Sequence, residues 1–234
     1  MSKHLKRMTI PRSWPIPRKT HEWAAKQSAG PHSARESMPL LAIVRDMLKL
    51  ADNAREVKRI LHEGGVLVDG QIRKDIKFPV GIFDVIDVPS MDQQYRMLRD
   101  RRGKFRLSLL EEGRANKLAR VDNKTVLRGG RVQLNLNDGT NILAEGDIKT
   151  GDSLVLRIPE KEIVQRIEFK EGNLAMVVGG SHAGEIGRVK AIQIVRSSRP
   201  NKVLISGDKE FETIVDYVFM IGEESPAIKL GASE

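Results

Sequence analysis

Apolar residues recur at helical spacing in only two stretches of this chain; elsewhere they alternate or gather in short runs that predict strands. In residues 40–51 (LLAIVRDMLKLA), Leu40, Val44, Met47, Leu48 and Ala51 fall on one stripe, which leaves Arg45 and Lys49 on the other face. Asn53 and Glu56 have the spacing of a capping box and predict a second helix. Its apolar stripe is Val57, Ile60 and Leu61, and its polar face is Arg55, Lys58, Arg59 and His62. Gly64 and Gly65 end that helix, and Val66-Leu67-Val68-Asp69-Gly70 reads as a strand entering a tight turn. Between residues 104 and 158 the runs FRLSLL, ANKLARV, RVQLNL and SLVLRI predict short strands. Turns are expected between them at Asp122-Asn123 and Asn137-Asp138-Gly139. Gly172, Gly179, Gly180, Gly184 and Gly187 then divide β-branched runs, a spacing suited to the tight turns of a small barrel, and the final segment FETIVDYVFMIGEESPAIKL supplies at least one more apolar strand.

Residues 1–39 show neither period. They hold five of the ten prolines (Pro11, Pro15, Pro17, Pro31 and Pro39), so they are expected to run extended and to make little core. Basic residues dominate this arm, and both tryptophans, Trp14 and Trp23, lie in it. Such an arm can follow a phosphate backbone and stack on exposed bases.

Charge narrows the choice of partner. Residues 1–154 carry 29 Lys plus Arg against 19 Asp plus Glu, a balance of +10; residues 155–234 carry 11 against 12, a balance of −1. The field that attracts a polyanion therefore belongs to the first two thirds of the chain. Aromatics are only 4% of the residues, so the cores must be aliphatic. With no cysteine there is no disulfide, zinc ribbon or thiol catalysis. The first residues are basic but lack the apolar run of a signal peptide, and no segment approaches the roughly 20 apolar residues of a membrane span, so the expected compartment is the cytoplasm. His4, His21, His32, His62 and His182 show no metal-ligand spacing, and no phosphate-loop or nucleophile-elbow motif is present.

The segment NAREVKRILHEGGVLVDG, residues 53–70, resembles the core of the S-four-type RNA-binding fold, and residues 172–192 resemble a KOW motif through Gly180, Gly184, Gly187 and Val189. Three further stretches, HLKRMTIPRSWPIPRKTHEW, GPHSARESMPL and RKDIKFPVGIFDVIDVP, occur in order with them. Together they resemble, over essentially the whole chain, the S-four-E family of small-subunit ribosomal proteins of the archaeal and eukaryotic type, and the short length looks more like the archaeal form. That resemblance implies an α+β multidomain chain: an extended basic arm (1–39), an S-four-type module of two helices and a small sheet (40–95), a central β domain (96–169), and a KOW-containing, SH3-like small β-barrel with a tail (170–234). It also implies direct binding of small-subunit ribosomal RNA, neighbouring ribosomal proteins as further partners, and no catalysis, cofactor, metal, membrane or small-molecule substrate.

Two positions where the S-four fold carries arginine hold Leu40 and Ala54 here, so the RNA-facing role is expected of other cations. The expected contacts are Lys3, Lys6, Arg7, Arg12, Trp14, Arg18, Lys19 and Trp23 in the arm, and Arg45, Lys49, Arg55, Lys58 and Arg59 on the helices. Arg73, Lys74 and Lys77 follow the strand turn, and Arg188 and Lys190 lie in the glycine-rich segment. The first turn of the second helix is expected to form a ledge with that strand turn, its backbone N–H groups aimed at phosphates. Two other readings compete. Arg120-Val121-Asp122-Asn123-Lys124-Thr125 is similar to the setting of the catalytic aspartate in RNA pseudouridine synthases, and the KOW segment alone suggests an elongation-factor-like partner of polymerase.

Overall fold

A computed structural model describes residues 4–110, 116–144, 146–207 and 209–230. They fall into two compact units, one of residues 1–98 with 104–115 and the other of 99–103 with 116–234. Helices are few and short and strands many, an α+β chain.

In the first unit β1 (Leu5–Lys6) pairs antiparallel with β2 (Trp23–Ala24). The loop joining them is not a coreless arm. Ile10, Trp14 and Ile16 are buried in the same cluster as Leu40, Ile43, Val57 and Leu61, and Trp14, only 2% exposed, donates its indole N–H to the Ser37 carbonyl at 2.9 Å. The expectation of little core is thereby corrected. Prolines stop the loop from forming a helix or strand, but they leave its aliphatic and aromatic side chains free to be buried. The segment is held further by His32, whose Nε2 lies 3.0 and 2.9 Å from the two Asp84 oxygens, while Asp84 also accepts the Gly81 N–H at 2.8 Å.

β3 (Ser37–Pro39) leads into α1 (Leu40–Ala42), continued by a π-helical turn over Ile43–Met47. The helix stops earlier than the sequence periodicity predicts, because Lys49 adopts a left-handed φ of 54°. The wider turn lets both Ile43 and Val44 reach the core. α2 (Ala54–His62) starts at the predicted capping box, with the Asn53 side chain accepting the Arg55 and Glu56 N–H groups at 3.0 Å. Next come β4 (Leu67–Val68) and β5 (Gln71–Ile72), joined at Asp69-Gly70, where positive φ values of 52° and 72° make the primed turn that asparagine, aspartate and glycine favour. β6 (Pro79–Gly81) pairs with β3, while β7 (Val85–Val88), β8 (Gln93–Arg99) and β9 (Phe105–Leu110) complete a five-stranded sheet in the order β5-β4-β7-β8-β9.

The second unit holds two antiparallel five-stranded sheets. One has the order β12-β11-β10-β13-β14, from β10 (Asn116–Val126), β11 (Val132–Leu136), β12 (Asn141–Ala144), β13 (Ser153–Arg157) and β14 (Glu162–Ile167). Asp122-Asn123 is no turn: β10 runs through it with a register shift between Val121 and Asn123, leaving β13 and pairing onward with β11. A bulge suits the same small polar residues as a turn, and the apolar strands on either side here belong to one element. Asn137-Asp138-Gly139 does turn, and the Asp138 carboxylate meets the buried Lys117 ammonium at 2.9 Å. The other sheet, β18-β17-β16-β15-β19, is built from β15 (Leu174–Val177), β16 (Ile186–Gln193), β17 (Lys202–Ser206), β18 (Glu210–Ile214) and β19 (Val218–Gly222). Gly184 is required at its place, with a φ of +87° and a would-be Cβ overlapping the Asp100 carbonyl oxygen.

Candidate nucleic-acid interface

The amphipathic pattern of α2 places four positions, spaced at i, i+3, i+4 and i+7, on one outward row. Arg55, Lys58, Arg59 and His62 are all exposed there, while Val57 and Leu61 are fully buried behind them. Among the described residues no carboxylate lies within ion-pair distance of Arg55, Lys58 or Arg59. The helix N-terminus itself is a different matter. Glu56 Oε2 accepts the Asp52 N–H at 2.9 Å and the Asn53 N–H at 3.4 Å, and Asn53 Oδ1 takes the N–H groups of Arg55 and Glu56. The Asp52 N–H above all, with the Asn53 contacts and the Arg59 charge adding to it, holds the Glu56 carboxyl below its ordinary value. A first turn whose amides are taken by its own residues, with a carboxylate seated over it, is closed to phosphate. The expected backbone ledge is corrected to a side-chain row.

The remaining candidates divide by what already holds them. Lys6, Arg12, Lys19, Lys49, Lys74 and Lys77 are exposed. Arg18 is half-buried, with one guanidinium N–H directed at the Met8 carbonyl at 3.4 Å. Trp23 is 50% exposed, its ring 5.6 Å from that of His4. Arg73 donates to Gln71 Oε1 at 2.7 Å and stacks its guanidinium 4.4 Å over the Phe78 ring, one face covered. Arg45 is committed to the adjacent Asp46 through two bonds of 3.1 and 2.9 Å. Lys3 lies outside the described residues.

Two arm candidates are corrected outright. Trp14 cannot stack on a base while its ring is in the core and its N–H is bonded to Ser37. Arg7, 3% exposed, is a tie within the loop, its Nε donating to the Pro17 carbonyl at 2.5 Å. In the glycine-rich sheet Arg188 donates to the carbonyls of Gly172, Glu223 and Glu224 at 3.1 to 3.4 Å, and Lys190 pairs with Glu210 at 2.6 Å. Both cations are exposed but engaged by groups of their own sheet and the chain after it, in a third of the chain that is nearly neutral.

The aspartate singled out by the enzyme reading borders a cleft of about 500 Å³ together with Arg120, Lys149, Asp152, Ile194 and Asp216. Asp122 there accepts from Arg120 Nε at 3.0 Å, and Asp152 is held by Arg166 at 2.8 Å and by the Lys149 and Phe169 N–H groups. Among the described residues no group of His, Asp and Glu is arranged to hold a metal, and no helix is long and apolar enough to cross a membrane. Sequence reasoning also passed over three exposed cations of the β10–β11 hairpin, Lys124, Arg128 and Arg131; the signal was the Arg-Gly-Gly-Arg run at its tip.

Comparison with known proteins agrees with the order of these elements. Residues 1–35 match the family model described as the RS4NT (NUC023) domain, residues 38–86 the S4 domain, and residues 91–163 the Ribosomal family S4e. The small ribosomal subunit protein eS4 of Archaeoglobus fulgidus is 51% identical over 232 residues, covering 97% of this chain and 98% of the relative. Its counterpart from Methanocella arvoryzae is 51% identical over 227 residues, covering 97% of each chain. The crystal structure of the 30S ribosomal protein S4e from Thermoplasma acidophilum superposes with a TM-score of 0.68 at 36% identity, covering 81% of this chain and 96% of that one. These relatives are named as ribosomal proteins and not as enzymes, which removes Asp122 as a catalytic residue. From the capped basic helix and its hairpin, and from kinship over nearly its whole length with archaeal eS4 proteins, the chain belongs to the S4e family of ribosomal proteins.

Proposed function

We propose that the protein is a constituent of the small ribosomal subunit that binds ribosomal RNA directly and mainly through phosphates, in the cytoplasmic ribosome and beside neighbouring ribosomal proteins. The observation that carries this reading is the outward row Arg55, Lys58 and Arg59 on α2, exposed and with no carboxylate within ion-pair distance among the described residues, within a matched S4 domain. Lys74, Lys77 and the arm's Lys6, Arg12 and Lys19 extend the supply of cations, and the half-exposed Trp23 offers one stacking face. In the same reading residues 170–234 form a KOW-type, SH3-like small barrel, and the glycine-bounded turns of β15 to β19 support that assignment. Because Arg188 and Lys190 are bonded internally, this barrel contributes shape more than charge.

Binding by six to ten phosphate contacts costs roughly 10³- to 10⁵-fold in affinity between 50 and 200 mM salt. Measuring the affinity for a small-subunit ribosomal RNA transcript across that range tests the proposal, and a salt-insensitive complex overturns it. Replacing Arg55, Lys58 and Arg59 together by Ala is expected to lower the slope of log K against log salt by about 2 to 3, at 0.7 to 0.9 for each lost phosphate contact. The thermal midpoint should stay near that of the parent, since these side chains are exposed.

A further inference from the structure

The bulge at Asp122 gives β10 two halves with different surroundings. Its first half, Asn116 to Arg120, pairs with β13, whereas the second half continues with β11 as a hairpin whose tip, Leu127 to Arg131, closes through a Leu127 N–H to Arg131 O bond of 2.8 Å. Gly129 and Gly130 occupy that tip at φ values of +82° and +76°, and a Cβ placed on either meets nothing within 4 Å. The tip therefore projects into open space. Beside the glycines stand Arg128 and Arg131, with Lys124 and the 72% exposed Val126 lower on the hairpin. Among the described residues none of these three cations lies within ion-pair distance of a carboxylate.

On one face the register sets Leu134 opposite Lys124 and Val132 opposite Val126, buried toward the sheet and exposed toward the tip. Leu134 is buried in the core of the sheet and packs with Val132, Ile142 and Ala144. The register puts Thr125, Gln133 and Leu143 together on the opposite, solvent face, followed by Asn123, Asn135 and Asn141. Among the described residues that face carries amides, a hydroxyl and the Leu143 side chain, and no charge. Gln133 Nε2 donates to Asn135 Oδ1 at 2.9 Å, and Asn135 Nδ2 donates to Thr125 Oγ1 at 3.0 Å, a chain that aligns these groups and leaves the Gln133 oxygen and the Thr125 hydroxyl hydrogen available to a ligand. Edge strand β12 bounds the face, with Leu143 55% exposed.

We infer that this hairpin is a second RNA-contacting surface, in which Arg128 and Arg131 at the tip bind phosphates while the neutral amide face lies against ribose hydroxyls and base edges. The charge assigns the ligand. Unpaired cations at the tip attract a polyanion, and a face with no carboxylate among the described residues does not repel one. Amides and hydroxyls both donate and accept, which matches the ribose 2′-hydroxyl. This inference rests on the reading of the chain as an RNA-binding protein but needs nothing from α2.

The absence of cysteine makes Val126→Cys the unique thiol of these 234 residues. Tethering iron-EDTA there, binding the protein to a small-subunit ribosomal RNA transcript and starting hydroxyl-radical cleavage is expected to cut the RNA at a localised site. In parallel, Arg128→Ala with Arg131→Ala is expected to lower the salt slope by about 1.4 to 1.8, again at 0.7 to 0.9 per contact, with the melting midpoint unmoved. No localised cuts together with an unchanged slope overturns the inference. So does a tethered probe that, in the assembled subunit, reaches only a neighbouring protein. Localised cuts alongside unchanged binding by the Arg55, Lys58 and Arg59 variant would support the hairpin and overturn the α2 reading alone. Weakened binding by that variant with no cuts from Val126→Cys would do the reverse, and no binding to the transcript overturns both.

Discussion

The two tryptophans show how differently one residue type is used a few positions apart. Trp14 is sealed in the core with its N–H bonded, so Trp14→Ala is expected to cost about 3–5 kcal/mol in urea unfolding, the usual range for emptying a large aromatic site. Trp23 is half-exposed, and Trp23→Ala should leave the unfolding curve nearly in place while RNA affinity falls by about 1–3 kcal/mol, the worth of one stacked base. Glu56 is the residue whose titration is shaped by the site. Its folded pKa is depressed, so its contribution is complete above the ordinary value of 4.5 and is lost as pH falls through the lower folded value. Acid titration of the far-ultraviolet circular dichroism should therefore lose a step in the Glu56→Gln variant; an identical acid profile in the two proteins would contradict the capping role. Arg96, by contrast, is pushed down to about 10 by burial and stays charged at neutral pH.

At the level of elements, α2 owes its position to its cap and its apolar stripe, and the cationic row follows from both. Asn53→Ala removes the acceptor for two backbone N–H groups and is expected to lower stability by about 1 kcal/mol, read as a lower denaturant midpoint. The β11–β12 turn is tied to β10 by the buried Lys117–Asp138 pair, with Asp138 also accepting the Thr140 N–H at 2.9 Å. Asp138→Ala strands a buried ammonium and should cost about 3–5 kcal/mol. The bulge within β10 turns one long strand into a member of a packed sheet and then of a projecting hairpin, a division of labour that two separate strands would not give.

For the whole chain, the expected behaviour is that of a particle component: sedimentation with the small subunit at moderate salt, and release by salt in step with the number of phosphate contacts. Free protein at the top of a gradient at moderate salt would count against it. Much of this was legible in residues alone. Hydrophobic periodicity, the Asn53–Glu56 cap, the Asp69-Gly70 turn and the charge asymmetry are local properties, set by bonds and spacings of a few residues, and the order of the motifs was enough to point to the family. Whether a given cation faces solvent or a carbonyl, and whether an aromatic is offered or buried, depends on partners far along the chain. Nothing near Trp14 in sequence announces Ser37, nothing near Arg188 announces Glu223 and Glu224, and nothing near Asp122 says that its two flanking strands are one. The sequence determined which residues carry charge and which segments fold as helix or strand; only the tertiary structure decided which charges remain free, because pairing and burial are long-range contacts that composition and periodicity do not encode.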